Sequence, residues 1–405
     1  MPINHLKPSP VTTKILAAVI FNLICYINVG MPFAAVPLYV HQQLGYNSVV
    51  AGMAVSIAYI GTFLSRPGAG KWIDTKGAKS SVVIGLIVSA CGGLFTLGSS
   101  FFIAQPLTAL FIIILGRFCM GASESWASTG TNLWNISRVG VENATQVISW
   151  NGVTSYGGMA IGAPLGIFLS RLPGFWGGLN SIAILTTILA AAGALLASTY
   201  QNIPPTPSSE PRLSFTKVFM RVLPTGAGLG LATIGFGSIQ AFMALYFVFN
   251  NWNGSAYAIS LFGGCFVLIR FIFKSSIDRY GGYIVAIVSL CVETFGLCLI
   301  AFTHSIIGTY IGAGLTGCGF SLMYPALGII AISTVGAENR GSALAFFSLF
   351  LDIALFIAGP LLGFIHLHWG YYWLFLSSAV FTCAGIILTS ILHYQSKHRT
   401  IVTPN

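Results

Sequence analysis

The chain has 405 residues, 55% of them hydrophobic and only 6% charged. Soluble domains carry about a quarter charged residues, so with a mean hydropathy of +0.85 this composition excludes a run of soluble domains. The net charge of +10 comes without a basic run, which excludes a nucleic-acid-binding face.

A membrane-crossing helix needs about 20 apolar residues. In chain order, such stretches fall at 14–40, 48–70, 80–102, 106–134, 144–170, 178–200, 217–248, 255–274, 283–303, 307–332, 341–365 and 369–393. The first, with Lys7 and Lys14 ahead of it, has the order of a signal peptide but runs too long and lacks a small-residue cleavage site. It therefore reads as a span. Alternating strand patterns are absent, which excludes an outer-membrane barrel. These spans predict an all-α integral membrane protein of twelve transmembrane helices.

Basic residues set the orientation. With the N-terminus inside, sixteen of the eighteen Lys and Arg fall on cytoplasmic loops or ends, Arg171 falls outside and Arg117 lies within a span. That asymmetry puts both termini in the cytoplasm. Residues 1–13 and 394–405 are then cytoplasmic ends, and 201–216, with its four prolines, is a cytoplasmic linker. Between them lie two six-helix bundles, 14–200 and 217–393. The eight cysteines all fall within spans and none has metal-ligand spacing. His366 and His368 fall on an outer loop without a third ligand, so no metal site is expected. Glycosylation at Asn253-Gly254-Ser255 would matter only in a eukaryotic host.

The two bundles repeat each other. Arg66, Ile73-Asp74 and Gly77 return 204 residues later as Arg270, Ile277-Asp278 and Gly281. Val139-Gly140-x-Glu142-Asn143 returns 196 residues later as Val335-Gly336-x-Glu338-Asn339, and the same offset aligns Gly121 with Gly317 and Pro164 with Pro360. Many secondary transporters are built from such repeats, with a binding region near the midplane.

Gly70-Lys71-Trp72-Ile73-Asp74-Thr75-Lys76-Gly77-Ala78-Lys79 resembles the helix 2–3 loop of the major facilitator superfamily, Gly-x-x-x-Asp-Arg-x-Gly-Arg-Arg, departing at Thr75 and Ala78. Gly116-Arg117-x-x-x-Gly121 is similar to that family's fourth-helix motif, and Gly158-x-x-x-Gly162-Ala163-Pro164-x-Gly166 to its fifth-helix antiporter motif. Glu124-Ser125, Ile148-Ser149-Trp150-Asn151-Gly152 and Gly319-Phe320-Ser321-Leu322-Met323-Tyr324-Pro325 resemble the bacterial arabinose-efflux-permease-like branch of drug and metabolite:proton antiporters. The resemblance implies a major facilitator fold of two pseudo-symmetric bundles. It also implies that Asp74 meets the start of helix 11 and Asp278 that of helix 5, as cytoplasmic gates with Arg66, Gly77, Arg270 and Gly281.

Four full charges lie inside spans: Arg117, Glu124, Glu293 and Asp352. Each is costly in a bilayer and is a functional candidate by default. Arg117, Gly121, Glu124, Ser128, Thr131 and Asn135 recur at helical spacing and make one polar stripe, so the fourth span should face away from lipid. Arg117 and Glu124 are seven residues apart, about 10 Å along the axis. Burial favours the neutral form of Glu124 and the Arg117 charge favours its ionised form, which makes Glu124 the first proton-carrier candidate; a structural Arg–Glu brace is the alternative. Asp352 aligns with Tyr156 in the other half, so its charge belongs to one half only. It is the second proton candidate. Glu293 reads as a local hydrogen bond or a partner contact.

Asn22, Tyr26, Arg117, Glu124, Asn151, Tyr156, Gln240 and Tyr324 are candidate substrate contacts. No cofactor is expected beyond protons as coupling ion. The expected partners are the lipid bilayer and a small-molecule substrate, with no nucleic acid and a monomeric chain in a bacterial inner membrane. The expected activity is export of a small organic molecule by proton antiport. Alternatives are proton-coupled import of a sugar or metabolite, a channel, or a lipid-modifying membrane enzyme. Absence of a Walker motif, an HExxH motif or a Gly-x-Ser-x-Gly elbow argues against an ATP-driven pump and against an enzyme.

Overall fold

The computed structural model describes residues 10–140, 143–201, 215–273, 275–335 and 340–402. Among them there is no strand. The first unit holds α1 (Pro10–Gly30), α4 (Ala78–Ser100), α5 (Pro106–Val139), α6 (Ala144–Ser170), α7 (Gly178–Thr199) and the later part of α3 (Ser48–Lys76). The second holds α8 (Phe215–Phe249), α9 (Ser255–Ile272), α10 (Ser276–Tyr280), α11 (Gly282–Thr303), α12 (Ile306–Ser321), α13 (Met323–Ser333) and α14 (Arg340–Val402). The segment Val36–Tyr59, which carries the end of α2 (Pro32–Leu38), a π turn at Tyr39–Gln43 and the start of α3, groups with the second unit.

Eleven of these helical stretches are long and apolar enough to cross a membrane. The last, Ala343–His398, runs 56 residues, far more than one crossing requires. At Gly370 its backbone turns to φ 85° and ψ 180°, which splits it into two crossing segments and brings the number of spans to twelve. The break falls later than the sequence suggests. No Gly or Pro stands between Gly363 and Gly370, so the helix continues through the expected loop and His366 and His368 sit on it. The tenth span also differs from a single rod, breaking at Leu322 into α12 and α13. Of the expected linker, residues 202–214 lie outside the described residues.

In the first unit, small residues let α4 lie between α5 and α7. A Cβ at Gly85 would stand 2.7 Å from the Ala127 backbone nitrogen, so α4 and α5 touch main chain to main chain. Phe21 stacks on Trp134 at 5.8 Å, with Tyr200 edge-on to both, and closes one end of the core around Val82, Leu86 and Ala197. In the second unit, α8 packs along α14 and α11 lies against α12 and α14. Phe236 stacks on Phe262 and Phe320 at 5.0 and 5.2 Å. The Val36–Tyr59 segment is fastened by Ser48 Oγ donating to the Gly363 carbonyl at 3.1 Å and Ser56 Oγ to the Leu355 carbonyl at 2.8 Å.

Candidate functional site

The polar stripe of α5 turns inward. Arg117 is 1% exposed, Gly121 is buried, and Thr131 and Asn135 are fully buried. Its acid is tied to α1, where the Tyr26 hydroxyl donates to Glu124 Oε1 at 2.9 Å. One turn later on the stripe, Ser128 Oγ accepts from Asn151 Nδ2 of α6 at 3.0 Å.

Asn22, one turn before Tyr26, joins the same assembly from the other side. Its Nδ2 stands 3.1 Å from the Asn151 carbonyl and 3.0 Å from the hydroxyls of Thr154 and Ser155. Asn22, Tyr26, Glu124 and Asn151, singled out one by one in the sequence, are therefore near neighbours in one polar assembly across α1, α5 and α6. Arg117 lies on the same stripe two turns before Glu124. Tyr156, half-buried, follows on α6. Thr154 and Ser155 escaped sequence reasoning, although their spacing of three and four from Asn151 puts them on its face.

In the second unit, Gln240 of α8 is 3% exposed and paired with Tyr59, whose hydroxyl donates to Oε1 at 2.8 Å and accepts from Nε2 at 2.6 Å. Tyr59 carried no signal, because an isolated Tyr in an apolar span is common. Tyr324 of α13 bonds Ser348 of α14 at 2.6 Å, and its ring lies 5.2 Å from Phe347. Asp352, one turn after Ser348, is 2% exposed. Glu293 of α11, expected to make a local hydrogen bond or a partner contact, makes no such hydrogen bond. It is fully buried, and neither carboxyl oxygen has a hydrogen-bond partner among the described residues.

The repeated motifs have the same backbone turn. Gly77 has φ 90° and ψ 157°, and Gly281 has φ 82° and ψ 154°. Both values lie in a region essentially closed to residues with a Cβ. Asp278 is exposed on α10, and Arg270 Nη2 donates to the Ser321 carbonyl at 3.1 Å. Arg66 is half-buried. The Asp74 side chain, Glu142 and Glu338 lie outside the described residues. No group of three His, Cys, Asp or Glu that could hold a metal ion forms among the described residues.

The family model of the Major Facilitator Superfamily matches residues 18–275 and 225–403. An uncharacterized MFS-type transporter of Burkholderia pseudomallei is 39% identical over 399 residues, covering 97% of this chain and 96% of that protein. Another, of Pseudomonas aeruginosa, is 42% identical over 387 residues, covering 96% and 95%. The chain belongs to the major facilitator superfamily and is a multi-pass membrane transporter, not an enzyme.

Solved structures agree in fold. A bacterial homologue of the human lysosomal transporter Spinster superposes with a TM-score of 0.72 at 11% identity, covering 95% of this chain and 97% of that one. The nucleoside transporter NupG gives 0.69 at 15% identity, covering 93% and 99%. The Escherichia coli fucose:proton symporter FucP gives 0.64 at 17% identity, covering 94% and 98%.

Proposed function

We propose that the chain is a secondary active exporter that moves a small organic molecule out across the bacterial inner membrane in exchange for protons. The observation that carries this reading is the Tyr26–Glu124 bond at 2.9 Å within the polar assembly of α1, α5 and α6, with Arg117 buried two turns away on α5. A carboxyl so placed has two states of different charge in a setting where charge is costly. A proton arriving at Glu124 neutralises it and weakens its hold on a cationic or polar substrate; loss of the proton to the cytoplasm restores the site. Asp352, buried on α14, is the second proton carrier. Asn22, Arg117, Asn151 and Tyr156 of the first unit and Gln240 and Tyr324 of the second are the proposed substrate contacts.

Alternating access follows from the repeated architecture. The proposed cytoplasmic gates are the motif residues Arg66, Asp74 and Gly77 and their counterparts Arg270, Asp278 and Gly281. Carboxylates at such helix ends can hold a neighbouring helix N-terminus through its unpaired N–H groups and dipole. The chain works as a monomer with both termini in the cytoplasm. Export is favoured over import by the likeness of Gly158–Gly166 and the Ile148–Gly152 string to antiporters.

The test is transport by purified protein in proteoliposomes. Substrates would first be found by a thermal-shift screen of metabolites and drugs. Trans-stimulated exchange is expected, and its absence would end the carrier reading in favour of a channel. Under an imposed pH gradient, substrate should move against the proton flow, while movement with the protons would establish import. Glu124→Gln and Asp352→Asn should each abolish proton-driven flux; unchanged flux in both would remove these residues from the mechanism.

A further inference from the structure

Glu293 of α11 is the full charge inside a span that the transport reading leaves unused. Three small or apolar positions enclose it. A Cβ on Gly235 of α8 would stand 2.5 Å from Glu293 Oε1, 2.9 Å from Leu297 Cδ1 and 3.2 Å from Thr382 Cγ2 of α14. A Cβ on Gly319 of α12 would stand 2.5 Å from the Glu293 backbone nitrogen and 2.7 Å from its Cβ. Two glycines on two helices thus make the space that this one side chain fills. The Thr382 hydroxyl is engaged elsewhere, bonding Thr294 at 2.8 Å and the Ala379 carbonyl at 2.9 Å, and it is the Thr382 methyl that stands at the Gly235 position beside Glu293.

None of these groups titrates, and none offers the carboxyl a hydrogen. The thiols on the helices around it, Cys291 and Cys298 of α11, Cys318 of α12 and Cys383 of α14, are exposed or half-exposed. Tyr324 of α13 is bonded to Ser348. An ionised carboxylate left without donor or counter-charge in such a place would cost far more than a neutral acid, and buried groups so placed take up a proton instead.

We propose that Glu293 is a further proton-binding site, neutral while Gly235, Gly319 and Thr382 enclose it. The site is distinct from the Glu124 assembly, which lies in the first unit. Its ligand is the proton alone.

Two measurements on the purified full chain test this, and neither involves transport, so their outcome is separate from that of the export reading. The first is the infrared carbonyl band of protonated carboxylic acids. A component of the band at neutral pH should be lost in Glu293→Gln and survive in Glu124→Gln. Isotope-labelled glutamate in the Glu124→Gln chain gives the same answer without changing Glu293, since the sequence puts Glu142, Glu210 and Glu338 in cytoplasmic loops. An unshifted band there, or identical spectra for wild type and Glu293→Gln, would overturn the proposal.

The second is unfolding as a function of pH. Above about pH 4.3 a free glutamate has lost its proton, whereas the enclosed Glu293 keeps it. The folded state then binds one proton more than the unfolded state, and wild-type stability falls as pH rises. Glutamine imitates the neutral acid at every pH. Glu293→Gln should therefore gain on wild type by about tenfold in the unfolding equilibrium for each pH unit, up to the pH at which folded Glu293 also ionises. Parallel profiles would show that the group carries no bound proton.

Discussion

The Tyr26 hydroxyl donates to Glu124 Oε1 at 2.9 Å and so ties the acidic side chain of α5 to α1. The bond is directional. A phenol O–H pointed at a carboxyl oxygen fixes where that side chain stands.

Tyr26→Phe removes the donor that holds Glu124 against α1. A hydrogen bond to a charged group contributes about 1.5–3 kcal/mol, so proton-driven transport should fall about tenfold or more. Glu124→Gln should abolish it, and Tyr26→Phe added to Glu124→Gln should change nothing further. Wild-type proton-driven flux in Tyr26→Phe would mean that the bond does not act on the coupling step.

Asn22 tests the packing around that pair. Its amide sits fully buried among the Asn151 carbonyl and the hydroxyls of Thr154 and Ser155. Interhelical side-chain bonds in membrane proteins average about 0.6 kcal/mol and reach about 1.7. With more than one acceptor lost, Asn22→Ala should cost about 1–2 kcal/mol, read as a fall of about 2–4 °C in the unfolding midpoint in detergent. Asn22→Asp should cost more, since it buries a charge beside three acceptors.

Much of this arrangement was legible in the sequence because it is periodic. Arg117, Glu124, Ser128 and Asn135 fall on one helical face whatever surrounds them, and lipid could not accept that face. Span positions followed from apolar run lengths, and the paired motifs from constant offsets. Partners from distant segments were not legible. Tyr59 and Gln240 lie 181 residues apart, and nothing local marks them as a pair. Glu293 could be recognised as a buried charge but not as one without a donor, because that depends on Gly235, Gly319 and Thr382 converging from three other helices. Span length alone puts His366 and His368 on a loop, whereas the turn waits for Gly370, where the backbone adopts φ 85°.

Gly281 isolates what the repeated turn demands. A Cβ there would meet nothing within 4 Å, so any loss on substitution comes from the backbone. With φ 82° and ψ 154°, Gly281→Ala should cost about 1–3 kcal/mol. Asparagine, which tolerates the left-handed helical region, should not rescue it, because that region needs ψ near 47°. Gly77→Ala, with φ 90° and ψ 157°, should lose a comparable amount. Unfolding midpoints of the three variants decide this, and an Asn variant as stable as wild type would mean that the turn relaxes into the left-handed helical form.

Gly162 governs how closely α6 approaches α1, and with it the position of Tyr26. A Cβ there would collide with the Ile27 carbonyl and stand 3.0 Å from the Met31 nitrogen, and a Cβ on Gly158 would stand 2.9 Å from the Tyr26 Cβ. The obstacles at Gly162 are main chain, which cannot swing aside as a side chain does. Gly162→Ala should therefore push the helices apart at a cost of about 1–3 kcal/mol, the range for overpacking. Transport should fall further than stability alone explains, because the same movement draws Tyr26 away from Glu124. Gly68→Ala on α3 is the control, since its Cβ would meet nothing nearer than Trp126 at 3.7 Å. If Gly162→Ala keeps wild-type transport per folded molecule, the α1–α6 contact serves packing only; if transport drops while Gly68→Ala remains normal, that contact sets the geometry of the Tyr26–Glu124 pair.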